Sequence, residues 1–333
     1  MVKDTSVLVL LPLKEEQREK LEQAAPSRRF VYQRLETVSR EDVADAEIII
    51  GNIPAKLLPE CKALRWYQLQ TAGADQVLSS RMLPPDVCLT NASGAYNQSQ
   101  AEFMLGVLLA LQKRLMAYWA NQQNRVWRDE GFETMLCGST AVVVGMGEIG
   151  GTLAAMLAGL GVYIIGITRT GVSSRAVSDE LYPAQQLLEQ LPRGDIVVSV
   201  LPSTPDTVHL FSEREFLTMR RGALFINTGR GSTVDTRALC RALKSGHLGG
   251  AAVDVVEEEP LPPEAELWEI PNLLITPHIA GHDFLPCVLK KTLAIAAENL
   301  RRYEKGEILK NRVDPMLGYR RKPEQKPLED LHQ

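Results

Sequence analysis

The chain has 333 residues, enough for about two domains, and its 45% hydrophobic and 23% charged content is the ordinary mix of a soluble globular protein. A formal net charge of -4 leaves no case for a polyanion partner, and no apolar run approaches the ~20 residues that span a membrane. Five scattered cysteines (61, 88, 137, 240, 287), with no CxxC and no His/Cys cluster at metal spacing, exclude a disulfide framework and a metal site and point to reduced thiols in the cytoplasm.

At the N-terminus "SVLVLL", residues 6–11, reads as a buried strand rather than a signal peptide, because Pro12 and a charged helix over 14–24 follow it. "RFVYQ", "AEIIIG", "WYQLQ" and "VCLTN" are further short strands with helical or turn segments between them. Residues 98–120 carry one long helical pattern. A second alternation starts at 140: "TAVVVG", a helix over 149–160, "VYIIGI", a helix at "AQQLLEQL", then "DIVVSVL", "GALFINT", "GGAAVDVV" and "NLLITP", with "DTRALCRALKSG" a helix among them. Strands apolar on both faces fit parallel sheets covered by helices on both sides. Residues 285–305 form a last amphipathic helix, and the charged, proline-containing tail reads as disordered or loosely docked. The pairs Arg28-Arg29, Lys290-Lys291 and Arg301-Arg302 read as solvated helix faces rather than nucleic-acid patches.

Gly145-Met146-Gly147-Glu148-Ile149-Gly150 is a GxGxxG that follows a strand and opens a helix. Gly145 permits the tight turn, Gly147 lets backbone approach a pyrophosphate, and Gly150 lets helix and strand pack closely. The amides near Glu148 and Ile149 then face the phosphate charge. About 20 residues on, such a site usually carries an acid that binds the adenosine ribose. Here the strand ends Thr168-Arg169-Thr170. A carboxylate would repel a 2′-phosphate, whereas two hydroxyls and a guanidinium would bind it. The pattern therefore predicts NADP(H), with NAD(H) the alternative if Arg169 faces solvent.

Three later motifs, "INTGRGSTVD", "AAVDVVEEEPLP" and "LLITPHIAG", supply Arg230, Glu259 and His278. Together with "TAGADQVL" and "NASGAYNQSQAE" in the first half, they make the chain resemble the D-isomer-specific 2-hydroxyacid dehydrogenase family over nearly its whole length. The resemblance implies that Arg230 binds the substrate carboxylate beside the carbonyl, that His278 is the general acid/base, and that Glu259 is its partner. The chemistry suits these residue types. Reducing a 2-oxo acid adds hydride to carbon and a proton to oxygen, which an imidazolium can give near neutral pH. An anionic substrate needs a cation of fixed geometry, which favours Arg over Lys. Taken alone, a histidine before "IAG" reads as structural; the strand-end placement of Arg230 and Glu259 reverses that. Glu257 and Glu258 read as solvated, His209 and His247 as structural, and His282 as either pocket-lining or solvent-facing.

The resemblance implies further site residues. Ala72 and Gly73 match a loop whose amides hold the substrate carboxylate. Leu201, Pro202 and Thr207 lie beside the adenosine and phosphates, Thr228 and Gly229 under the nicotinamide ribose, and Asp254 by the carboxamide or ribose. The loop from Thr276 to Gly281 closes over the nicotinamide. Gln100-Ala101-Glu102 stands where the family often has Val-Ala-Glu, and Thr276-Pro277 before His278 counts against formate as substrate. The implied fold is α/β: a discontinuous flavodoxin-like substrate domain (1–102 and 285–315), a Rossmann dinucleotide-binding domain (103–284), a charged tail (316–333), and a homodimer formed through the 98–132 region. The implied activity is NADPH-linked reduction of a small 2-oxo acid, glyoxylate or hydroxypyruvate leading, to the D-2-hydroxy acid in a cleft that closes on its substrate. The alternatives are an NAD-linked D-2-hydroxyacid dehydrogenase and a non-catalytic, nucleotide-sensing corepressor-like protein.

Overall fold

The computed structural model describes residues 6–131, 134–173, 177–315 and 318–320. The chain divides into two compact units, Met1–Tyr96 with His282–Gln333, and Asn97–Gly281.

The first unit begins with β1 (Ser6–Val9), α1 (Glu15–Glu22), β2 (Arg29–Tyr32), α2 (Arg40–Ala44), β3 (Ala46–Ile50), β4 (Trp66–Gln68), α3 (Asp75–Ser80) and β5 (Cys88–Thr90). Its five strands are all parallel, in the order β2-β1-β3-β4-β5. That is the flavodoxin-like order. Alternate residues feed opposite faces, as a period of two requires. Leu8, Ile49 and Tyr67 enter one core, while Val7, Val9, Ile48, Ile50 and Trp66 enter the other.

The second unit contains α4 (Asn97–Gln112), α5 (Leu115–Gln123), β6 (Thr140–Val144), α6 (Glu148–Gly159), β7 (Tyr163–Thr168), β8 (Glu180–Pro183), α7 (Leu187–Gln190), β9 (Ile196–Ser199), α8 (Glu213–Thr218), β10 (Leu224–Asn227), α9 (Thr236–Lys244), β11 (Gly250–Val253) and β12 (Leu273–Ile275). The parallel order β12-β11-β10-β9-β6-β7-β8 is the Rossmann arrangement with one further strand. The order reverses at β6, so the loop after β6 lies where such sheets bind ligands. The chain then returns to the first unit as α10 (Pro286–Glu304), whose Leu289, Leu293 and Ala296 cover one face of the first sheet. Pro286 stands in the first helical turn, where no N–H partner is needed. A two-stranded pair, β13 (Val313–Asp314) and β14 (Tyr319–Arg320), ends the described chain. The rest of the expected tail lies outside the described residues.

The structure departs from the sequence reading in four places. The helix expected over 98–120 breaks at Arg114, which is left-handed at φ 50. Lys113 Nζ bonds the Thr134 carbonyl at 3.2 Å, and Arg114 bonds the Glu130 carbonyl. The break therefore comes from a distant segment, with no glycine or proline to announce it. The unit boundaries fall at 96/97 and 281/282 rather than 102/103 and 284/285. All of α4 belongs with the second sheet because Ala101, Met104, Leu108 and Leu111 share a core with Val143 and Ile164. The helix expected over 184–191 is one α-helical turn flanked by 3-10 turns. Finally, β8, an edge strand ending in Pro183, and α8, capped by Ser212 and Glu215, were not read from the sequence.

Cys61 and Cys240 are buried, and burial pushes both thiols up to about 11, whereas Cys137 and Cys287 are exposed. At pH 8 we expect a thiol reagent to modify Cys137 and Cys287 rapidly and to reach Cys61 and Cys240 only after unfolding. Rapid labelling of Cys61 or Cys240 in the native protein would contradict this packing.

Candidate active site

Three glycines shape the loop after β6, each for its own reason. Gly145 has φ +105, and a Cβ there would sit 2.5 Å from the Val200 carbonyl oxygen. A Cβ on Gly150 would sit 2.2 Å from the Gly145 carbonyl oxygen, so α6 and β6 could not approach. A Cβ on Gly147 would meet nothing within 4 Å, so this residue faces open space. No side chain caps α6, leaving its first-turn amides without a side-chain acceptor. Glu148 turns aside to take a hydrogen bond from Asn97 Nδ2 at 3.1 Å. At the end of β7 the Thr168 hydroxyl is buried with no hydrogen-bond partner among the described residues, and Arg169 and Thr170 follow it exposed. Ser173 donates to the Met146 carbonyl at 3.5 Å, joining this segment to the glycine loop. An open amide cradle beside an orphaned hydroxyl fits the diphosphate and ribose of a dinucleotide.

Past β10 the backbone is knitted by Asn227, which is fully buried. Its Nδ2 donates to the Arg230 carbonyl at 3.1 Å, and its Oδ1 accepts from Gly229 N at 3.2 Å. Thr233 donates to the same Arg230 carbonyl at 2.7 Å. Arg230 is half-buried and donates from its side chain to the Gly229 carbonyl at 2.8 Å. Gly229 presses on the neighbouring loop, since a Cβ there would sit 2.5 Å from Leu201 N. In that loop Thr207 donates to the Pro202 carbonyl at 2.7 Å and accepts from Thr204 N at 2.8 Å. Thr228 is buried and donates to Met104 Sδ at 3.1 Å.

The loops after β11 and β12 bring the expected acid and base together. His278 Nδ1 lies 2.8 Å from Glu259 Oε2, and Glu259 Oε1 accepts from Val256 N at 3.1 Å. Both side chains are open to solvent, at 48% and 38%. His278 has φ 54, a left-handed conformation that a non-glycine residue keeps only when held. Asp254, 3% exposed, does the holding. Its carboxylate accepts from Thr276 Oγ1 at 2.7 Å, Ile279 N at 2.8 Å and Ala280 N at 2.9 Å. Its carbonyl accepts from His278 N at 2.8 Å. Asp254 thus fixes the loop that carries His278 and ends at Gly281.

Glu257 is exposed, as expected, but it has partners. It lies 2.6 Å from His209 Nε2 and accepts from Thr236 N at 2.9 Å. Partial burial pushes its carboxyl up, but the bonds from Thr236 and His209 outweigh that and hold it below the usual carboxylate range. Glu258 is exposed. His247 bonds the Met219 carbonyl at 3.0 Å, and His282, exposed, belongs to the other unit. Sequence reasoning passed over Asn227 and Thr276. The available signal was a polar residue at the end of an apolar strand, directly before a loop.

In the first unit, the segment after β4 is held from several sides. Asn52 Oδ1 accepts from Gln70 N at 3.0 Å, Asn91 donates to the Ala72 carbonyl at 2.6 Å, and Thr71 donates to the Gly73 carbonyl at 2.9 Å. Asp283 accepts from Gln70 Nε2 at 3.1 Å and lies 2.9 Å from the buried Tyr96 hydroxyl. Burial, then the Asp283 charge, pushes the Tyr96 hydroxyl well above its ordinary range, so it stays protonated. The amides of Ala72 and Gly73 donate to no protein acceptor among the described residues. An amide pair of this kind suits an anion.

The second unit therefore holds an imidazole–carboxylate pair, a half-buried guanidinium and an open glycine loop at the start of α6. No helix among the described residues is long and apolar enough to cross a membrane. Residues 105–280 match the model of the D-isomer specific 2-hydroxyacid dehydrogenase NAD-binding domain. A glyoxylate reductase from Aeropyrum pernix is 31% identical over 301 residues, 88% of this chain and 89% of that protein. A solved D-isomer specific 2-hydroxyacid dehydrogenase family protein from Aeromonas salmonicida is 31% identical and superposes with a TM-score of 0.84, covering 94% of this chain and 99% of that one. An NADPH-dependent glyoxylate/hydroxypyruvate reductase from Sinorhizobium meliloti, solved with NADP and sulfate, is 29% identical with a TM-score of 0.80, covering 95% and 100%. The chain belongs to the D-isomer-specific 2-hydroxyacid dehydrogenase family and is an NAD(P)-dependent oxidoreductase of that family.

Proposed function

We propose that the protein reduces a small 2-oxo acid of the glyoxylate or hydroxypyruvate class to the D-2-hydroxy acid, using NADPH. The observation that carries this reading is the His278–Glu259 pair at 2.8 Å on the same unit as the glycine cradle and Arg230. The loop from Gly145 to Gly150 and the residues Thr168, Arg169 and Thr170 would hold NADPH, which would supply the hydride when bound. Leu201, Pro202, Thr207, Thr228, Gly229 and the loop from Asp254 to Gly281 would line the same cofactor.

The protein's own residues supply the rest. Arg230 binds the substrate carboxylate and polarises the carbonyl. Glu259 occupies Nδ1 of His278, so Nε2 is the atom that gives a proton to the carbonyl oxygen as the carbon gains hydride. The amides of Ala72 and Gly73, which donate to no protein acceptor among the described residues, support reading the first unit as the substrate domain. Reduction leaves a hydroxyl on the substrate and neutral imidazole, which takes a proton from solvent before the next turnover.

The choice of NADPH rests on Thr168-Arg169-Thr170, supported by the NADP bound in the Sinorhizobium meliloti relative. Replacing Arg169 by Ala should raise KM for NADPH about tenfold to a hundredfold, the worth of charge-assisted hydrogen bonds, and leave KM for NADH unchanged. An equal change for both cofactors would remove the 2′-phosphate role. A homodimer in the cytoplasm completes the proposal. Leu115, Trp119, Trp127 and Met135 are exposed large apolar side chains, which a partner subunit would cover. Light scattering should give twice the 36.9 kDa chain mass; the single-chain mass would contradict the dimer.

A further inference from the structure

We propose that Gln100 is a cofactor-positioning residue whose side-chain oxygen accepts a hydrogen bond from the carboxamide amine of the nicotinamide. The inference deepens the cofactor reading above and rests on it. Three neighbours on α4 locate Gln100. Asn97 bonds Glu148 at the start of α6 at 3.1 Å. Ser99 donates to the Ala280 carbonyl, in the loop after His278, at 3.4 Å. Met104 accepts from Thr228, two residues before Arg230, at 3.1 Å. Residues three and four apart share a helix face, so Gln100 lies on the face that carries Asn97 and Met104. That face meets the glycine loop and the Thr228–Arg230 loop, and Ser99 beside it meets the His278 loop.

The Gln100 side-chain oxygen is buried and has no protein partner among the described residues, and Asn97 Oδ1 is in the same state. Buried amide oxygens are almost always hydrogen-bonded. Asn97 Nδ2 is committed to Glu148, so the atom left over there is an acceptor, and the ligand group that suits the pair is a donor. Phosphates and the substrate carboxylate are acceptors and cannot satisfy them. The nicotinamide carboxamide presents an NH2 group. Asp254, another buried acceptor in this unit, already takes three hydrogen bonds from the 276–280 loop. A valine at position 100 would fill the space without an acceptor; glutamine adds one.

Equilibrium binding tests this without turnover. Titration calorimetry would compare NADP+ with its 3-acetylpyridine analogue, in which a methyl replaces the amine and every ribose hydroxyl is kept. The wild-type protein should bind NADP+ about tenfold more tightly than the analogue. Gln100→Leu should bind the two alike, and Gln100→Glu, which keeps an acceptor, should restore the preference. Equal affinities in the wild-type protein, or the same preference retained in Gln100→Leu, would overturn the assignment. If the wild-type protein binds neither dinucleotide, the cofactor reading itself fails, a separate outcome. Should Gln100→Leu not fold, Gln100→Val, which also removes the acceptor, gives the same comparison.

Discussion

Replacing His278 with Gln should lower kcat by about 100- to 10,000-fold, the usual contribution of a positioned general acid. Glutamine keeps polarity and rough volume but cannot deliver a proton from the position of Nε2. The dissociation constant for NADPH should stay within about threefold of wild type, because the cradle from Gly145 to Gly150 is built by glycine backbone and not by the imidazole. Glu259→Gln should give a smaller loss of kcat, since Nδ1 keeps a hydrogen-bond partner at the 2.8 Å position but loses the anion. Single-turnover kinetics checks both. A His278→Gln enzyme with near wild-type kcat would remove the histidine from the proton transfer.

Replacing Gly231 with Ala should lower the melting temperature by roughly 10 °C or abolish soluble expression. A Cβ at this position would stand 1.9 Å from the Val256 carbonyl oxygen and 2.6 Å from Glu257 N. No side chain can yield there, because both are backbone atoms. The loop carrying Arg230 and the loop carrying Glu259 would have to part. Any folded fraction should therefore lose activity beyond its loss of stability. The change is informative because Gly231 is buried and bears no chemistry of its own. Circular dichroism melts alongside kcat/KM would measure both effects. Wild-type stability in Gly231→Ala would mean the two loops are not in contact.

The parts of the fold that were legible in the sequence are those where one residue type meets a hard backbone requirement. The glycine loop is legible because Gly145 must take a positive φ and Gly150 must sit against the Gly145 carbonyl. The sheets are legible because residues 7–9 of β1 and 48–50 of β3 are apolar on both faces, as a covered parallel strand requires. The break between α4 and α5 is different. Its cause is the segment at Glu130 and Thr134, far along the chain, and helical periodicity runs straight through Arg114. The six residues of α8 are too few to show a period.

In the candidate site, Arg230, Glu259 and His278 stand out in the sequence by residue type and motif. The residues that hold them in place stand out less. Asn227, Thr276 and the carboxylate of Asp254 act through backbone amides and carbonyls brought together by three different strands, and no local spacing encodes that meeting. Glu257 illustrates the converse. It sits in a run of three glutamates that reads as a solvated face, and only the approach of His209 and Thr236 gives it partners.

The most direct measurement is kcat/KM for NADPH and for NADH, taken separately with saturating glyoxylate and then hydroxypyruvate. Turnover of at least one of the two acids is expected, with NADPH favoured by about tenfold or more through the cation and hydroxyls at 168–170. A preference for NADH, or no turnover of either acid with either cofactor, would contradict it.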